Sequence, residues 1–453
     1  MAAPRRSPPI YVLNDSLDLD PPTGDPGQGF TMLECASKKA YGCGEHGQEM
    51  VDGLALYLRL GDAPLVTSSL AIRISDAALR RFDSELGPHN LDALHRERVS
   101  PRDREMDAVG RILVAEADLV AVALGFRRER SIIRNLTYFL VYDNVDASLS
   151  MINDLPHLYQ GIGPLLPVPN RTIDGGACEL LLMARRAPGL PAKKKKKEKL
   201  CVFSTATWAK NPACLWQIKR RRFPAGDLFT ATMAFSFQGK GFWADLARGL
   251  VYCDLPHATG DSSAVNFGLI RLPAGCELDE DEALKLEEQP DNLTRIVGCG
   301  GGSIRFVCID RATEYEYEED HLVTMWTLQL PLKQWKEEWK FSARELWGFD
   351  GFKEAGLPKA QPEFPVVLAD GGVCFVLTDY RQRRSFGDDV LVGHICSIDV
   401  PNKRVLWHGQ VHDYPFSKAF VLPSSFFQRK QRGSHKRKFG DYHPTAGLAS
   451  PAF

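Results

Sequence analysis

Among the side chains that could do chemistry, the densest local cluster is Trp243, Asp245, Arg248 and Gly249. An indole, a carboxylate and a guanidinium so close together could bind a ligand. In an extended strand, however, Trp243 and Asp245 point to one face, and Gly249 with Arg248 beside it makes a turn into the next strand. Asp245 then accepts hydrogen bonds from that turn or pairs with Arg248, which is a structural task. The glycine-rich run 298–302 ending at Ser303 invites a phosphate-cradling reading. A phosphate loop needs a Lys-Ser/Thr pair opening a helix, whereas Ser303 opens an alternating strand, so the run is expected to be a hairpin turn.

Metal chemistry fares no better. Cys35, Cys43 and His46 supply three donors at a spacing unlike the usual zinc patterns, and His408 with His412 lacks the helix and glutamate of a zinc protease. There is no Gly-x-Ser-x-Gly, and no cysteine is flanked so as to mark it as activated. The residues therefore nominate no catalytic group, no cofactor and no metal. Three basic runs have a direct physical use, as contacts for the acidic grooves of a nuclear import receptor or for phosphates: Lys193, Lys194, Lys195, Lys196 and Lys197; residues 219–222; and Arg429, Lys430, Arg432, Lys436, Arg437 and Lys438. For 219–222 an alternative is a sheet edge protected by charge.

The 453 residues carry 56 Lys+Arg against 57 Asp+Glu, so a general polyanion binder would have to rely on those local runs. With 44% apolar residues the chain can build a substantial core. The most apolar stretch, 112–126, contains Glu116 and Asp118 and cannot be a membrane helix. Eleven scattered cysteines without CxxC spacing, and no apolar region after Arg5 and Arg6, predict an intracellular protein of the cytoplasm or nucleus.

The elements that must position these residues are mostly strands. Short alternating segments recur at 54–60, 69–74, 136–142, 178–184, 232–237, 249–253, 266–271, 303–309, 323–330, 373–378 and 394–400, separated by Gly, Pro, Asn or Asp. Helices are expected only where Ser75 and Ser342 cap short runs. A loose repeat of strand, turn and tryptophan places Trp208, Trp335 and Trp407, and stacked copies would let each indole pack on a neighbour. The reading is all-β: a β-propeller-like domain over 8–427 with antiparallel multi-bladed sheets, few short helices, and a disordered basic C-terminal tail over 428–453. A pair of β-sandwiches or barrels is the alternative, and spacing alone does not give the blade number. Segments 277–291 and 314–320 read as acidic hairpin loops, and 185–199 as a projecting loop.

Residues 242–254, with Phe242, Trp243, Asp245, Arg248, Gly249, Cys253 and Asp254, are followed by Leu272, Pro273, Gly275 and Cys276, and then by Trp326, Thr327, Leu328, Trp335 and Trp347. This ordered set resembles the plant family called domain of unknown function 1618, most densely over 242–377. The resemblance implies an uncharacterised family, distantly like the propeller-like domains that follow F-boxes in plant proteins, and it brings no catalytic residue or cofactor. The first 60 residues lack the leucine-rich helical segment of an F-box. The expected role is thus a non-enzymatic module with a protein partner. Alternatives are a nuclear protein using its basic clusters on nucleic acid, and an enzyme with a site on the propeller axis. No membrane association is expected.

Overall fold

Strands form in this chain because apolar residues alternate on two faces and both faces find a neighbour to pack against. The computed structural model describes residues 10–13, 17–19, 29–61, 66–86, 106–116, 118–128, 136–156, 159–161, 166–172, 178–186, 199–223, 229–287, 293–310, 321–330, 332–378, 392–412 and 420–423. They make six sheets. Numbered from the N-terminus, blade 1 runs Phe420–Pro423, Ile10–Leu13, Thr67–Ile74, Leu54–Arg59, Thr31–Met32, with Asp18–Leu19 also on Thr67–Ile74. Blade 2 runs outward as Met106–Glu116, Leu119–Arg128, Leu136–Asp143, Ser148–Asn153 and Ser37–Tyr41. Blade 3 sets Val168–Arg171 and Tyr159–Gly161 on Cys178–Arg186, then Lys199–Ser204, Gln217–Arg222 and Ala264–Asn266.

The last three blades are four-stranded antiparallel meanders: Met233–Phe237, Lys240–Asp245, Gly249–Asp254 and Gly268–Arg271 in blade 4; Arg295–Gly300, Ser303–Asp310, Leu322–Gln329 and Gln334–Ser342 in blade 5; Pro362–Val367, Val373–Thr378, Val392–Asp399 and Arg404–His412 in blade 6.

Six apolar cores, one per blade junction, arrange the sheets as a ring. Ile72 and Phe82 meet Phe126 and Leu140 between blades 1 and 2; Phe139 meets Phe203 and Trp216 between 2 and 3; Val202 meets Trp243 and Val251 between 3 and 4. Phe242 and Leu250 then meet Phe306 and Leu328, Val307 and Met325 meet Phe375 and Cys396, and Val376 and Ile395 meet Val12 and Val66. That last junction returns to blade 1, where Ile10–Leu13 pairs antiparallel with Phe420–Pro423 near the other end of the chain. Period two explains how one strand serves two junctions. In Lys240–Asp245, Trp243 faces blade 3 while Phe242 and Ala244 face blade 5.

Several sequence expectations change. Residues 112–126, read as too charged for a membrane helix, form most of the hairpin Met106–Glu116 and Leu119–Arg128, whose apolar residues pack into the cores on either side. The acidic segment from 277 is not a hairpin loop. Glu280–Glu287 is a helix, opened by a capping box in which Asp279 accepts from the Glu282 N–H at 2.8 Å and Glu282 accepts from the Asp279 N–H at 3.2 Å. Trp208 follows its strand inside the helix Thr205–Lys210 and not after a turn. The stretch 219–222 is no bare edge, because Ala264–Asn266 pairs onto Gln217–Arg222 and Lys219 is buried with its Nζ donating to the Gly260 carbonyl. The two expected caps form as read, Ser75 accepting from the Ala78 N–H and Ser342 completing a capping box with Glu345. No helix among the described residues is long and apolar enough to cross a membrane.

Candidate functional site

The residues singled out for chemistry are mostly occupied by structure. Asp245 is buried and accepts from the Ala247 N–H at 2.9 Å, the Thr230 N–H at 3.0 Å and Arg248 at 3.3 Å, which fixes the 246–248 turn. Gly249 sits at φ 150°, with the Ile270 carbonyl 2.4 Å from where a Cβ would lie. Gly301 and Gly302, at φ 58° and 73°, make the two-residue turn joining Arg295–Gly300 to Ser303–Asp310, as the strand context requires. The Cys43 thiol donates to the Tyr41 carbonyl at 3.2 Å, and His46 stands 3.8 Å from Glu49. Burial, and then the neighbouring His408, lower the His394 imidazole below its usual range. Burial pushes Cys43, Cys178, Cys201, Cys253 and Cys396 up to about 12, so these thiols stay protonated at neutral pH. Lys193, Lys194, Lys195, Lys196, Lys197, Arg429, Lys430, Arg432, Lys436, Arg437 and Lys438, and the acidic residues 314–320, lie outside the described residues.

A different place in the ring has the shape of a site. Between blades 2 and 3 lies an open cleft of about 870 Å³. Its blade 2 wall is the outermost strand Ser37–Tyr41, its neighbour Ser148–Asn153 and the turn that begins at Asp143; its blade 3 wall is the end of Val168–Arg171, the start of Cys178–Arg186 and the helix Thr205–Lys210. Asp143 accepts from the Val145 N–H at 2.8 Å, which shapes the turn, and forms an ion pair across the cleft with Arg171. Tyr41 packs edge-on against Phe203 at 5.2 Å and Trp208 at 6.2 Å, and its hydroxyl bonds Ser150 while burial raises its pKa. Trp208 is held by its helix, where Thr205 Oγ1 accepts from the Cys178 N–H at 3.1 Å. The half-buried indole lines the cleft together with Ser148, Ser150, Gln48 and Thr172.

This arrangement supports recognition. Asp143 and Arg171 are paired with each other, the Cys178 thiol is protonated, and the cleft presents polar side chains beside an indole. Of the cleft residues, sequence reasoning singled out only Trp208, and that as a packing residue. Tyr41, Asp143 and Arg171 come from separate strands, and no local spacing brings them together.

The described residues thus form a six-bladed ring of the β-propeller type, with an open cleft between blades 2 and 3. Within it, residues 243–375 match the family model described as "Protein of unknown function (DUF1618)", the region where the ordered motifs lie. A search of curated proteins finds no match. Among solved structures, the chain is similar to an acylaminoacyl peptidase complex at 10% identity and TM-score 0.30, covering 64% of this chain and 38% of that one. It is also similar to an alpha-L-arabinofuranosidase from Lactobacillus brevis (12% identity, TM-score 0.28, 68% of this chain and 86% of that one). A third is a hypothetical selenium-binding protein from Sulfolobus tokodaii (11%, 0.28, 67% and 78%). The chain spans little more than a third of the acylaminoacyl peptidase chain, and likenesses this distant carry no functional argument.

Proposed function

We propose that this protein is a non-enzymatic interaction module of the cytoplasm or nucleus, and that its cleft between blades 2 and 3 receives an extended segment of a protein partner. The observation that carries the reading is the cleft itself: an open space of about 870 Å³ lined by the half-buried Trp208 and by polar side chains of both blades, around the Asp143–Arg171 ion pair. Six packed junctions make the ring a rigid frame, so the cleft can bind without paying for its own ordering. The basic runs at 193–197 and 429–438 enter this reading as additional contacts for an import receptor or a polyanion.

The test places a photo-cross-linking amino acid at position 208 and, in a second protein, at Leu406, which is 54% exposed on the outer strand of blade 6. Nuclease-treated extract is then irradiated with each. A protein adduct formed at 208, absent at 406 and retained when 428–453 is deleted, is the expected result. Adducts at 406 alone, or recovery that disappears with nuclease or with the tail, would overturn it and favour binding of nucleic acid through the basic runs.

A further inference from the structure

Arg295 stands opposite Cys308 in the pairing of Arg295–Gly300 with Ser303–Asp310. Its guanidinium reaches back to the connection from blade 4, donating to the Cys276 carbonyl at 2.7 Å and to the Leu246 carbonyl at 3.1 Å. Cys276 closes the turn that follows Leu272, its N–H donating to the Pro273 carbonyl at 2.9 Å. The result is that two thiols distant in sequence lie side by side at the junction of blades 4 and 5, hydrogen-bonded to each other and beside one fixed cation. Both are free, and both retain a trace of exposure, 6% each.

The pair is asymmetric. The Cys276 S–H hydrogen bond and the Arg295 charge hold the Cys308 thiol below its ordinary range, against burial and the charge of Asp310. The Cys276 thiol is pushed up by the same hydrogen bond and by its own burial. Because Arg295 stands opposite Cys308 in the ladder and its guanidinium bonds that sulfur, Cys308 is the better placed of the two to act as the thiolate nucleophile. Cys374 and Cys396 also neighbour one another, but both are fully buried and burial raises both.

We propose that Cys276 and Cys308 form a dithiol oxidised by hydrogen peroxide, closing to a disulfide that ties the connection between blades 4 and 5 to the second strand of blade 5. The Cys308 thiolate attacks one peroxide oxygen; the O–O bond breaks and the departing hydroxide takes up the thiol proton as water, leaving a sulfenic acid. The Cys276 sulfur attacks the Cys308 sulfur, the S–O bond breaks, and a second water leaves with the Cys276 proton. Two thiols lose two electrons and two protons, and one peroxide becomes two waters.

The test treats the full chain with stoichiometric hydrogen peroxide, blocks remaining thiols by alkylation, and maps tryptic peptides without reduction. The expected product is 272–285 linked to 306–311, with two of the eleven thiols lost and both restored by dithiothreitol. In Cys276→Ser the cross-link disappears and a sulfenic-acid trap such as dimedone marks Cys308 first. Eleven unreacted thiols in the wild-type chain, or a cross-link mapping to another pair, would overturn the proposal without any variant having to fold.

Discussion

Replacing Trp243 by alanine removes the largest fully buried side chain of the junction between blades 3 and 4, where the indole is 1% exposed, tilts against Phe267 at 5.9 Å and donates to the Leu166 carbonyl at 3.2 Å. Truncating a buried tryptophan costs about 3–5 kcal/mol, because the lining on both blades cannot collapse onto the void. Trp243→Phe keeps most of the apolar volume but strands the Leu166 carbonyl, for about 1–3 kcal/mol. At roughly 2 cal/mol/K of unfolding entropy per residue, a chain of this size loses about 1 °C of Tm per kcal/mol. The alanine variant should therefore melt about 3–5 °C lower and the phenylalanine variant about 1–3 °C lower. Differential scanning calorimetry is the assay, since it also shows whether the ring melts as one unit. If each junction is shared by two blades and the ring closes at blade 1, one transition should move as a whole. A shift under about 1 °C in the alanine variant, or two separated transitions of which one is unmoved, would refute the shared-core reasoning.

Other outcomes follow from single contacts. Gly249→Ala puts a Cβ against the Ile270 carbonyl at φ 150°, and should cost at least about 2 kcal/mol in urea unfolding. Ser342→Ala removes the capping box on Ala343–Trp347 and should cost about 0.5–2 kcal/mol by the same assay. Buried Glu179 accepts from Asn170 at 2.7 Å, and burial raises its carboxyl above the usual 4.5. The folded chain then holds that proton more tightly than the unfolded one, so this contribution is intact below about pH 4.5 and is lost as pH rises through the raised folded value. Tm measured from pH 4.5 to 7 should accordingly move in favour of Glu179→Gln relative to wild type as pH rises, and a pH-independent difference would refute the assignment.

What the sequence by itself determined is what a few neighbouring residues can enforce. Period-two alternation marked Gly249–Asp254, Ser303–Asp310 and Val373–Thr378 as strands, because each side must bury. Ser75 and Ser342 marked helix starts, and the paired glycines 301 and 302 a turn, because those hydrogen bonds close within three residues. The ordered motifs of 242–377 lie where the chain matches the DUF1618 family model, because a resemblance of that kind is carried by residues in sequence order. The helix Glu280–Glu287 was missed although Asp279 and Glu282 carry a capping signature, because a run of carboxylates reads first as a solvated loop. Ser37–Tyr41 escaped for a deeper reason: its polar residues show no alternation of apolar residues, and it is a strand because Ser148–Asn153 offers it a parallel edge. Six blades, the closure of Ile10–Leu13 on Phe420–Pro423, the meeting of Tyr41, Asp143, Arg171 and Trp208 in one cleft, and the contact of Cys276 with Cys308 were all decided by tertiary structure. Those partners are set by which faces meet around the ring, and a pairing of residues far apart in the chain leaves no trace in the local spacing of either one.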